Sequence, residues 1–183
     1  MKSVKRSLQE KVAFLRLRSG DTEAFAFFYD KYVKNIYRFV YIKVSSREVA
    51  EDLTQEIFLK TWQHLVDKKQ IDNFQAFIFR IARNSVVDYY RRHNRQSLPL
   101  EYLTEDSAMA PEQHLQTHQA LEIEKILEDL KKLKPEQQEI IYLRFVEDLL
   151  VDDIAKIVDM EKSSVRVLIH RALNKLKEIN KNT

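Results

Sequence analysis

The segment Asn73–Arg95, NFQAFIFRIARNSVVDYYRRHNR, interleaves five arginines (Arg80, Arg83, Arg91, Arg92 and Arg95) with aromatic and aliphatic residues. A guanidinium group keeps its charge and forks toward paired acceptors, so a cluster of them suits phosphate oxygens better than acid–base catalysis. Wound as a helix at about 100° per residue, Phe74, Ile78, Ile81, Ala82, Ser85 and Tyr89 share one arc. Arg80, Arg83, Asn84, Val87, Arg91 and Arg95 lie on the opposite side. An ordinary amphipathic helix with a solvated charged face has this same pattern. Asp88 alone dilutes the cations, and it stands at the edge of the basic arc, so the face fits a nucleic-acid backbone.

Other chemistries find little support. The chain has no cysteine, which removes disulfides, thiol nucleophiles and thiolate metal sites. It has one glycine, Gly20, so an extensive β meander and a glycine-rich phosphate-cradling loop are both disfavoured. The carboxylates Glu48, Glu51, Asp52 and Glu56 could suggest a helical-bundle hydrolase. Such metal sites use Glu-x-x-His pairs, and that spacing does not occur in the sequence. No metal and no cofactor are expected. The N-terminal stretch lacks a signal-peptide core, and no apolar run approaches the length of a membrane span, so a cytoplasmic protein without stable membrane insertion is expected.

The net charge of +3 over 183 residues hides an uneven distribution. Residues 1–95 carry 19 Lys/Arg against 11 Asp/Glu, residues 96–124 carry none against 6, and residues 125–183 carry 12 against 11. A basic module, an acidic connector and a nearly neutral module follow from that count.

Helical spacing recurs through Ala24, Phe25, Phe28, Tyr32, Ile36 and Phe39, with Asp21 placed to cap the helix. Ser45 and Glu48 have the capping-box spacing for a second helix to about Val66, with Val49, Leu53 and Ile57 inward. The arginine-bearing segment makes a third, and three such helices can bury one core. Periodicity fails in QSLPLEYLTEDSAMA, residues 96–110, which reads as an extended connector. Pro111 fits the first turn of a helix running to about Leu133. Pro135 starts another carrying Ile140, Ile141, Leu143 and Phe145; Asp152 to Val158 is short, and Ser163 to about Ile179 is long. The last two, joined by Met160–Glu161–Lys162, have helix-turn-helix proportions. The fold expected is all-α: two small helical domains, 1–95 and 112–183, joined by a flexible acidic linker, 96–111.

Three segments taken in order, AEDLTQEIFLKTW, NFQAFIFRIARNSVVDYYRR and LKPEQQEIIYLRFVEDLLVDDIAKIVDMEKSSVRVLIHRALNKLK, resemble the sigma-70 family of RNA polymerase sigma factors, and its compact extracytoplasmic-function type. The resemblance runs from about Gly20 to Lys177. It implies that the first segment grips the clamp helices of the polymerase β′ subunit through Asp52, Gln55, Glu56, Leu59 and Gln63, which share one outward helix face. It implies that the second melts promoter DNA and holds the minus-10 element, through Lys69, Gln70, Asn73, Phe77, Arg80, Arg83, Asn84, Arg91 and Arg92. Aromatic faces stack on unpaired bases while arginines follow the backbone, and Phe77 stands at the border of the two arcs.

The third segment resembles the minus-35 reader, implying that Ser163, Ser164, Arg166, Val167, His170, Arg171 and Lys175 meet duplex DNA. Val167 and Leu168 stand where the family often has polar or basic groups, and Asp159 where it often has a turn glycine. The partners implied are core RNA polymerase, through β′ and the β subunit, promoter DNA and an anti-sigma factor; the chain itself is not expected to be an enzyme. The rival readings are a helix-turn-helix regulator that never joins polymerase and a sigma-like adaptor acting through protein partners.

Overall fold

The structure is a computed structural model describing residues 2–19, 21–66, 71, 73–93, 130 and 132–181. It separates into two compact units, Met1–Gln96 and Ser97–Thr183. Every regular element among the described residues is helical, as the single glycine leads one to expect. The connector and the helix expected after Pro111 lie outside the described residues, apart from buried Leu130, exposed Lys132 and buried Leu133.

Among its described residues the first unit contains four helices rather than three: α1 (Lys2–Arg18), α2 (Ala24–Val44), α3 (Arg47–Val66) and α4 (Phe74–His93). The addition is α1, which packs on α2 with Ala13 and Leu17 buried. Its inward face also carries Glu10, which accepts a hydrogen bond from the Tyr32 hydroxyl (2.6 Å) and pairs with Lys31. That carboxylate disguises the apolar stripe, because its partners lie on another helix.

Phe28 is fully buried at the centre, with ring contacts to Phe14 (6.4 Å), Phe27 (5.4 Å) and Phe74 (4.0 Å). Phe39 meets Phe79 edge-on (5.3 Å), tying α2 to α4, and Phe25 meets Trp62 (5.1 Å), tying α2 to α3. Burying each phenyl ring stabilises by about 1.5–3 kcal/mol, so aromatic interlock dominates this core. The hydroxyls of Thr54 and Thr61, though buried, donate to carbonyls one turn back at Ala50 (2.6 Å) and Ile57 (2.7 Å).

Two caps differ from the sequence expectation. Ser45 takes a left-handed conformation (φ 53°) and closes α2, while Ser46 accepts the Val49 N–H at 3.5 Å and opens α3. Asp21 stands ahead of a tight turn, its carboxylate accepting the Glu23 N–H (3.1 Å) and the Arg16 side chain (2.7 Å), so α2 begins at Ala24. The Arg16 hydrogen bond holds the Asp21 carboxyl below the usual carboxylate range.

The second unit contains α5 (Pro135–Ile141), a π-wound turn (Tyr142–Val146), α6 (Val151–Val158) and α7 (Lys162–Lys181). Pro135 takes the first helical position, where its missing N–H has no partner to lose. Ile140, Ile141, Leu143, Leu149, Ile154, Ile157, Val165 and Ala172 form an aliphatic core. The π turn, closed by the Glu147 N–H on the Tyr142 carbonyl (3.1 Å), inserts a residue into the helical repeat. Tyr142 and Leu143 therefore face inward, whereas Phe145 is 55% exposed.

Candidate functional site

In the first unit, α3 and α4 pack against each other and against α2, and their outer surfaces carry the candidate residues. On α3, Asp52, Gln55 and Gln63 are exposed, and Leu59 stands out at 57% exposure among them. Inside that face Ala50, Leu53, Ile57 and Phe58 are buried, which fixes the rotation of the helix. Glu56 is half-buried and engaged: Lys60 lies 2.6 Å from its carboxylate and Arg92 of α4 lies 3.9 Å away. Lys60 also donates to the Ser85 hydroxyl (3.1 Å). A cleft beside this cluster runs between α3 and α4, edged by Asp52, Tyr89, Arg92 and His93.

On α4 the buried arc is wider than the sequence pattern suggests: Phe74, Ala76, Phe77, Ile78, Phe79, Ala82, Ser85 and Val86 are all inside, while Ile81 and Tyr89 are half-buried. Phe77 is the consequence for the site. Its ring is only 7% exposed and lies against His64 (4.4 Å), so its face is covered rather than offered to an unpaired base. In this structure Phe77 packs with the core, on a helix whose buried residues span more than half its circumference. The Arg80 guanidinium sits 5.7 Å from the Phe77 ring centre and remains exposed. Asn84, Arg91 and Arg92 are exposed too, and Arg83 is half-buried.

Asn73 has a local task, because its side-chain oxygen accepts the Ala76 N–H (3.3 Å) at the start of α4. Lys69, Gln70 and Arg95 lie outside the described residues. At the far end, the Tyr90 hydroxyl donates to the Lys43 carbonyl (2.7 Å), joining α4 to the end of α2. Burial raises the Tyr90 phenol above its ordinary range. Neither this tether nor the Lys60 junction was visible in the sequence, since each joins residues more than twenty positions apart.

In the second unit, α6 and α7 form the helix-turn-helix, with the chain reversed at Asp159 in a left-handed conformation (φ 55°). Lys162 at the start of α7 donates to Asp152 of α6 (2.6 Å), and this hydrogen bond keeps the Asp152 carboxyl below its ordinary range. Val165 and Ala172 anchor α7 on its inner side. Ser163, Arg166, Val167, His170, Arg171 and Lys175 are exposed, and Ser164 is half-buried. Asn174 meets the His170 ring nitrogen Nδ1 at 3.3 Å.

One unit thus carries an exposed basic helix face on α4 beside the polar outer face of α3, and the other carries a helix-turn-helix. The family descriptions that match agree: sigma-70 region 2 over residues 28–96 and sigma-70 region 4 over residues 130–178. The chain belongs to the sigma-70 family, in its extracytoplasmic-function branch, as a promoter-recognising RNA polymerase sigma factor.

Among its relatives, an RNA polymerase sigma-E factor of Streptomyces coelicolor is 30% identical over 133 residues, 70% of each chain. The ECF RNA polymerase sigma factor BldN of the same organism is 30% identical over 166 residues, spanning 88% of this chain and 62% of that relative. RNA polymerase sigma factor YlaC of Bacillus subtilis is 27% identical over 154 residues, 82% of this chain and 88% of that one. In fold, the chain is similar to CnrH, solved with the cytosolic domain of CnrY (TM-score 0.67, 20% identity, covering 95% of this chain and 98% of that one). It is also similar to sigma factor RpoE of Bartonella quintana, solved with the anti-sigma factor NepR (TM-score 0.67, 22% identity, covering 87% of this chain and 98% of that one).

Proposed function

We propose that α3 is the polymerase-gripping helix and α4 the strand-holding helix, and that their division of labour rests on the two faces being separately exposed. The observation that carries this reading is the exposure of Arg80, Asn84, Arg91 and Arg92 on one helix while Asp52, Gln55, Leu59 and Gln63 are exposed on the other. Leu59 supplies a small apolar contact inside a polar rim, the usual anatomy of a protein contact. The α4 cations, with Lys69 and Gln70 ahead of them, follow the phosphates of a separated strand. Asn73 shapes the start of that helix by capping it. In the second unit α7 enters the major groove of upstream duplex with Ser163, Ser164, Arg166, Val167, His170, Arg171 and Lys175.

The domains 1–95 and 112–183 act through the linker 96–111 as two weak contacts whose effective concentration makes the whole specific. Core polymerase performs the chemistry and the chain is not an enzyme. It works in the cytoplasm; among the described residues no helix is long and apolar enough to cross a membrane. An anti-sigma factor is the expected inhibitor, in keeping with the fold neighbours solved with such partners.

The test is the double substitution R80A/R83A. Run-off transcription by reconstituted holoenzyme should fall sharply while binding to core polymerase is retained. The salt dependence of binding to melted promoter should become shallower by about 1.4, two phosphate contacts at about 0.7 each. Unchanged initiation would favour an adaptor acting through protein partners, the second reading, which Phe145, Leu150, Met160 and Val167 favour by being exposed apolar side chains of the second unit.

A further inference from the structure

We propose that Val167 is a specificity-determining residue that reads the 5-methyl group of a thymine in the upstream element. This rests on the reading that α7 occupies the major groove. Among the described residues of α7, Val167 is the exposed large hydrophobic one, at 47% exposure. The inner side of the helix is marked by the fully buried Val165 and Ala172, with Leu168, Ile169, Leu173 and Leu176 half-buried beside them. By helical rotation Val167 stands within about 40° of Ser163, Arg171 and Asn174, all of them exposed. An isopropyl group is thus set in the middle of a row of hydrogen-bonding side chains.

Base edges in the major groove offer donors, acceptors and a single kind of apolar group, the thymine methyl. Pressed against a donor or acceptor, Val167 would strip water from it and return no hydrogen bond. Set against a methyl, it buries apolar surface on both partners. A β-branched side chain in a helix holds essentially one rotamer, so its methyls are aimed before binding and little entropy is lost on contact. One acid of the motif, Asp152 of α6, is drawn onto Lys162 (2.6 Å), which tempers its repulsion of phosphate as the helix approaches. The donors flanking Val167 position the helix; the valine distinguishes thymine from cytosine at one step.

The experiment uses holoenzyme made from the full chain and core polymerase, on a promoter selected from a randomised library. Each thymine of the upstream element is replaced singly by deoxyuridine, which deletes the methyl and leaves pairing intact. One position should lose binding by roughly fourfold, the value of one buried methyl. With V167A that position should become indifferent; alanine is the better helix former, so folding is not the weak point. With V167T, which keeps one methyl in nearly the same volume, sensitivity should persist at roughly twofold. Wild-type tolerance of every replacement overturns the proposal, as does undiminished sensitivity in V167A or a selected element without thymine. If run-off transcription continues in those cases, the sigma-factor reading stands and the methyl reading alone falls. Absence of promoter-dependent transcription overturns both.

Discussion

The two units bury different materials. The first has a core of interlocked rings, Phe28, Phe39, Phe74, Phe77 and Phe79 among them, and presents cations on α4. The second has an aliphatic core and leaves Val167 on α7 and Leu150 just ahead of α6 exposed beside cations such as Arg166 and Arg171. Even the turns differ: α6 is bracketed by Asp148 (φ 52°) and Asp159 (φ 55°), two aspartates in a region that glycine would enter more readily. The comparison teaches that surface chemistry here does not follow core chemistry. The phenylalanines of α4 are used for packing, and on α7 an aliphatic side chain, Val167, is left outside.

The sharpest way to break the contrast is at Phe28. F28A should cost about 3–5 kcal/mol, the range for a large ring removed from a packed core, and amide exchange along α2 and α4 should accelerate accordingly. A loss below about 1 kcal/mol, within the range of a tolerated isosteric swap, would mean that the rings fill space without interlocking. In the second unit the corresponding weak point is the turn. D159V, forcing a β-branched residue into the left-handed region, should cost about 1–2 kcal/mol in chemical denaturation. D159G should be neutral or slightly stabilising, and equal behaviour of the two variants would show that the turn carries no strain.

The smallest effect concerns Asp152, whose lowered carboxyl pKa comes chiefly from the Lys162 hydrogen bond. A depressed folded-state value means that its contribution is present at neutral pH and is lost only as pH falls through that value, below the ordinary carboxylate range. The carboxyl signal of Asp152, followed by NMR, should titrate below the ordinary aspartate range in the wild type and return toward that range in K162A. A titration unmoved by K162A would show that the two helices are not held by this pair.

Much of the first unit was legible because period and burial coincide in α2 and α3: Phe28, Tyr32, Ile36 and Phe39 recur at helical spacing and are all buried. The reading failed where a side chain's fate depended on a neighbour. Phe77 stood at the edge of an arc, and the nearness of His64 decided that it faces inward. Glu10 broke the stripe of α1 until Tyr32 and Lys31 supplied partners. Phe145 was displaced by a change in winding that no local residue announces. Of the candidate site, exposure of Asp52, Leu59, Arg80, Arg91 and Arg166 agrees with their helical phase, whereas the engagement of Glu56 and Asn73 does not follow from it.

The sequence by itself determined the helical class, the uneven charge and the residues whose chemistry fits phosphate and base edges, because composition and periodicity are properties of consecutive residues. Tertiary structure decided which aromatics are spoken for, which turns accept left-handed aspartates and which single aliphatic side chain stands outward on α7. Those outcomes depend on distances between residues remote along the chain, and packing alone sets such distances.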